Sequence, residues 1–145
     1  MKLSTKTRYG LRILLQMAVD QKVKTAVKGK DIAKKQDISE PYLEQIMIPL
    51  KTSGIVKTIR GCHGGYAIDI PFEEISVCRI IELFEGPITL VKCSDDNGSC
   101  KRLYKCQTTN VWSKLADVIK KESSKVTIAT LLEDIKKGAS LEFVI

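Results

Sequence analysis

Residues 39–54, SEPYLEQIMIPLKTSG, followed directly by residues 55–70, IVKTIRGCHGGYAIDI, decide the fold. Leu43, Ile46, Met47 and Leu50 recur at helical spacing, which sets them on one apolar face, and Pro41 falls in a first turn that needs no amide donor. The pattern predicts a helix over 40–52. Asp37 and Ser39 mark its start, since their side-chain oxygens can accept from unpaired amides, and Gly54 ends it. Pro49 removes one hydrogen bond deep in the helix and is expected to bend its last turn. Ile55 to Ile59 and Tyr66 to Ile70 are β-prone. Arg60 to Gly65 between them contains Gly61, Gly64 and Gly65, so the two runs read as a hairpin.

Upstream, Leu11, Leu14, Leu15 and Ala18 make the buried stripe of a helix over 6–19. A lysine-rich connection over 21–28 leads to a short helix over 29–35, with Ile32 and Ala33 facing inward. Two short helices joined by a tight polar turn describe a helix-turn-helix, and a hairpin placed directly after the second helix is a wing. Downstream, Ser76 can cap a helix bearing Val77, Ile80, Ile81 and Phe84, closed by Gly86 and Pro87. A stretch without periodicity follows from Ile88 and leads through a cysteine loop, 93–106. The stripe Val111, Trp112, Leu115, Val118 and Ile119 then predicts a long amphipathic helix over 107–123. Thr127 caps a last helix with Ile128, Leu131, Leu132 and Ile135, stopped by Gly138, and residues 141–145 read as a strand or docking segment. The expected fold is therefore mainly α with a small β wing. Residues 1–70 form a winged helix-turn-helix, and residues 71–145 form a dimerisation region with the cysteine loop and the long helix.

The chain has 145 residues and a formal charge of +7. Its first 70 residues hold 13 Lys and Arg against 6 Asp and Glu, whereas the remaining 75 hold 11 of each sign. The whole positive excess thus lies in the winged half, which points to a polyanion partner for that half. Met1 to Tyr9 is polar and basic without the apolar core of a secretory signal, and no run approaches a membrane span, so a cytoplasmic location is expected. In a reducing compartment, five cysteines point to metal or redox chemistry rather than to a disulfide framework. With one histidine, no nucleophile elbow and no phosphate loop, there is no catalytic constellation to name.

Four segments, MKLSTKTRYGLRIL at 1–14, ISEPYLEQI at 38–46, IRGCHGGYAI at 59–68 and IIELFEGPI at 80–88, together with the cysteine loop, give the chain a recognisable pattern. It resembles the Rrf2 family of bacterial winged-helix regulators, with its IscR, NsrR, RirA and CymR types, over nearly its whole length. The resemblance implies a homodimer joined through the long helix, with one winged domain in each half-site of a partly palindromic operator in double-stranded DNA. It also implies that bases are read from Ser39, Pro41, Tyr42, Glu44 and Gln45. Chemistry agrees at Glu44, where a carboxylate can accept from a cytosine amino group. The alternative is a solvated helix face with Glu44 paired to a nearby lysine. Arg60, followed by Gly61, suits a minor-groove probe. Lys6, Arg8, Tyr9, Lys28, Lys51 and Lys57 are candidates for phosphate contacts, and His63 lies in the wing turn.

Cys93, Cys100 and Cys106, with six and then five intervening residues, resemble the cluster-binding loop of the IscR, NsrR and RirA types. Thiolates are the soft ligands such clusters need, so an iron-sulfur cofactor, 2Fe-2S or 4Fe-4S, is expected there. In IscR-like members a histidine stands where this chain has Thr109, and in NsrR-like members an aspartate stands where it has Arg8. The fourth ligand is therefore open among Asp95, Asp96, His63 and an exogenous thiol or water, and zinc also suits a three-sulfur site. A thiol switch without metal is a second possibility. A third is a CymR-like regulator that takes its signal from a partner protein of cysteine metabolism. Cys78 reads as a small buried hydrophobe and Cys62 as an exposed thiol at the wing tip.

Overall fold

A computed structural model of the chain describes residues 2–91, 100–102 and 105–138. Six helices and one hairpin follow in order: α1 (Thr5–Asp20), α2 (Gly29–Gln36), α3 (Glu40–Thr52), β1 (Val56–Ile59), β2 (Gly65–Ile68), α4 (Val77–Glu85), α5 (Thr109–Lys125) and α6 (Ile128–Lys136). A single 3-10 turn at Phe72–Glu74 leads from the hairpin to α4. Cys93, Asp95, Asp96 and the tail over 141–145 lie outside the described residues. The architecture is the expected one, mostly helical with a two-stranded antiparallel wing.

Local chemistry sets the boundaries. Ser4, Ser39, Ser76 and Thr127 each accept a hydrogen bond from an amide three residues on, capping α1, α3, α4 and α6. Asp37 adopts φ 53° in the tight turn between α2 and α3, a left-handed conformation that Asp tolerates better than most residues. Pro49 removes only the bond that its absent N–H would give to Gln45. Beyond it, Ser53 N still donates to Pro49 O at 2.9 Å and the Thr52 hydroxyl to Ile48 O at 3.0 Å, so the last turn closes. The long helix starts and ends two residues later than its apolar stripe predicts, because Thr108 forms its N-cap and the chain stays helical to Lys125.

One hydrophobic cluster holds the molecule together. It is built from Ile13, Leu14 and Met17 of α1, Ile32 of α2, Leu43, Ile46 and Leu50 of α3, Ile55, Ile80 of α4, and Ile128 and Leu132 of α6. Burying this many large aliphatic side chains, at about 1.5–3 kcal/mol each, is what fixes α3 against the rest. The α1 and α4 helices interlock through two of the motif segments. Gly10 lies so close to Phe84 that an added Cβ would come within 2.5 Å of its ring, and Glu85 accepts from the Thr7 hydroxyl and from the amide of Ser4. These hydrogen bonds from Ser4 and Thr7 hold the Glu85 carboxyl below its ordinary range. Among the described residues no helix is long and apolar enough to cross a membrane.

Candidate nucleic-acid interface and cysteine loop

The wing is pinned to the body by main chain. In register, Val56 pairs with Ile68 and Ile59 with Gly65. On the other edge of β2, Val27 exchanges two backbone hydrogen bonds with Tyr66, at 2.8 and 2.9 Å. The close approach requires Gly65, since a Cβ there would stand 2.3 Å from the Val27 carbonyl oxygen. The hairpin is thus a three-ply ribbon at the end next to its turn, with Arg60, Gly61, Cys62 and His63 exposed at its tip.

On α3, Pro41, Glu44 and Gln45 are exposed, while Leu43, Ile46, Met47 and Leu50 are buried. The Ser39 hydroxyl is already engaged, accepting from Tyr42 N at 3.2 Å, so it orients the helix start. Tyr42 is half-buried and meets Tyr9 of α1 edge to face, with ring centroids 5.9 Å apart. Arg12 lies over the Tyr9 ring at 4.9 Å. Glu44 accepts from the Tyr66 hydroxyl, and Lys51 sits 5.5 Å from the centre of the Tyr66 ring. The fold therefore makes two groups of contacts on α3: Tyr42 joins it to Tyr9 of α1, and Glu44 and Lys51 join it to Tyr66 of the wing.

Other candidates stand apart from these contacts. Lys6 and Lys28 are exposed, Arg8 lies 3.4 Å from the Thr5 hydroxyl, and Lys57 is paired with Asp69 at 2.6 Å, which spends part of its charge. Sequence reasoning missed Arg12 and Tyr66 as participants. Tyr66 closes the RGCHGGY segment, where β propensity alone accounts for an aromatic residue, and only packing sets its hydroxyl on Glu44. Burial first, then the hydrogen bond and charge of Glu44, push the Tyr66 phenol up to about 12, so it stays a donor.

At the other end, Cys100 and Cys106 are half-buried free thiols in the segment before α5. The Thr108 hydroxyl lies 3.2 Å from Cys106 Sγ. That contact, and then the Thr109 hydroxyl, lower the Cys106 thiol to about 7. A soft metal centre needs deprotonated sulfur, and Cys106 provides it near neutrality, so these residues fit the donor chemistry. Thr109 is a neighbour that favours the thiolate in the position considered for a fourth ligand. No three His, Cys, Asp or Glu side chains among the described residues converge as a metal group, and Cys93 lies outside them. Cys78 is buried and Cys62 exposed, as their sequence settings imply.

The α5 helix has no buried residue. Its Val111, Leu115 and Val118 are 51, 45 and 57% exposed, and Trp112 is 37% exposed. It packs on α4, with Lys120 3.0 Å from Glu82, and its apolar stripe is left uncovered.

Comparison with known proteins gives one result throughout. Residues 3–134 match the Rrf2 model, described as an iron-dependent transcriptional regulator. The chain is 37% identical over 135 residues to the HTH-type transcriptional regulator CymR of Bacillus subtilis, covering 93% of this chain and 89% of that protein. It is 34% identical over 134 residues to Protein rrf2 of Nitratidesulfovibrio vulgaris, covering 92% of this chain and 89% of that one. Among solved structures, T. potens IscR superposes with a TM-score of 0.76 at 31% identity, covering 95% of this chain and 90% of the other.

Proposed function

Because this chain belongs to the Rrf2 family of transcription regulators, we propose that it acts in the cytoplasm as a homodimeric repressor, reading a partly palindromic operator and sensing iron-sulfur status through its cysteine loop. Residues 1–70 are the reading half and residues 71–145 the pairing and sensing half. The observation that carries the DNA reading is that α3 exposes Pro41, Glu44 and Gln45 and meets the wing through Glu44 and Tyr66, on the half that holds all the excess positive charge.

Ser39 and Tyr42 set the entry of α3, Glu44 and Gln45 read base edges, and Arg60 with Gly61 enters the minor groove. Lys6, Arg8, Tyr9 and Lys51 hold phosphates. Pairing through the α5 stripe doubles the base contacts and covers apolar side chains that one protomer leaves in water. Cys93, Cys100 and Cys106 would hold the cluster, which, when bound, supplies a redox-sensitive and labile crosslink of the loop. That loop leads directly into α5, so its two states bias the relation between paired recognition helices through their different affinities for DNA.

A second reading of the same loop is favoured by Cys106. A thiol lowered to about 7 is reactive without any metal and can switch by oxidation, as a cluster-free regulator of cysteine metabolism would require. Anaerobic purification followed by an absorption spectrum and iron and zinc assays separates the two. Visible charge-transfer bands with stoichiometric iron support the cluster. A colourless protein free of both metals supports the thiol switch and leaves the DNA reading intact.

A further inference from the structure

From the position of Tyr66 we propose that it is the positioning residue for base readout: its hydroxyl, reaching from β2 of the wing, holds one oxygen of Glu44 and leaves the other to accept from a base. The proposal rests on the reading of Glu44 as a base contact. Tyr66 is held on several sides. Its backbone is bonded to Val27 on one edge and paired with Thr58 on the other, and only 9% of it is exposed. Its ring lies against Gly29, where an added Cβ would stand 3.1 Å from it, and Lys51 covers it at 5.5 Å.

Glu44, by contrast, is exposed on α3, where an unheld carboxylate would sample several rotamers. A hydrogen bond from a fixed donor removes that freedom before DNA arrives, so the ordering cost is not charged to the cognate base. A carboxylate is acceptor-only, so the phenol must donate, and the remaining oxygen keeps lone pairs for a cytosine amino group. The bond also ties the recognition helix to the wing, so major-groove and minor-groove readers move as one body.

The test is selection from a library of duplexes with randomised palindromic half-sites, read by sequencing, alongside affinity for one scrambled duplex. Wild type, Tyr66→Phe, Glu44→Ala and the double variant are compared. Tyr66→Phe is expected to lose about threefold to tenfold of the preference at one half-site position, the freedom regained by one long side chain. Glu44→Ala should lose at least as much, the double variant no more than Glu44→Ala, and Tyr66→Phe should bind the scrambled duplex as wild type does. Wild-type preference in Tyr66→Phe together with lost preference in Glu44→Ala would overturn the positioning role alone. Unchanged preference in Glu44→Ala would overturn the base contact itself and the proposal with it. Should Tyr66→Phe fail to fold, Glu44→Asp, which keeps the charge but falls short of the phenol, is read by the same two outcomes.

Discussion

Lys51 and Cys106 illustrate how one side chain takes its task from its neighbours. Lys51 lies over the Tyr66 ring without an ion pair among the described residues, so its charge is available to a phosphate. Lys51→Ala should weaken binding to every duplex alike and lower the salt slope by about one ion, as expected of a contact that carries no sequence information. A change in base preference would instead make Lys51 a reader. Cys106 is governed by two hydroxyls. In metal-free protein its alkylation rate should rise with a midpoint near pH 7, because the thiolate is present above that value and lost below it. Thr108→Val should move the midpoint upward toward the ordinary thiol range of about 8.5. A midpoint that Thr108→Val leaves in place would remove Thr108 as the cause.

Elements are where sequence and structure agree most closely, and the residues show why. The span of α3 is legible because Ser39, Pro41 and the four buried apolar positions all point to the same helix. The wing is legible because its glycines punctuate two β-prone runs. The third ply of the ribbon is not, since Val27 and Tyr66 stand 39 positions apart in the chain and no local pattern encodes that pairing. For the same reason the Tyr66 contact to Glu44 and the cluster of Arg12, Tyr9 and Tyr42 are set only by tertiary packing. Cys93 lies outside the described residues, so the thiolate triad still rests on spacing and resemblance. The tightness of the ribbon has a measurable consequence. Gly65→Ala places a methyl group against the Val27 carbonyl and should lower unfolding free energy by roughly 1–3 kcal/mol in a denaturant titration. Stability equal to wild type would mean that the wing is held to Val27 more loosely than its hydrogen bonds imply.

At the scale of the whole molecule, charge and apolar surface are divided between opposite tasks. The excess positive charge lies in the half that carries α3 and the wing, while α5 of the neutral half exposes an apolar stripe. Leu115→Glu should leave the core intact, since Leu115 is outside the buried cluster, but should shift the protein from dimer to monomer in light scattering and weaken operator binding. A dimer that survives this change would place the seam elsewhere. The most direct test of a two-fold winged regulator is sedimentation of the protein with duplex DNA over a series of salt concentrations. Two protomers per duplex, with log affinity falling linearly as log salt rises, is the predicted result. A monomer with no affinity for any duplex at low ionic strength, whether or not metal is bound, would contradict it.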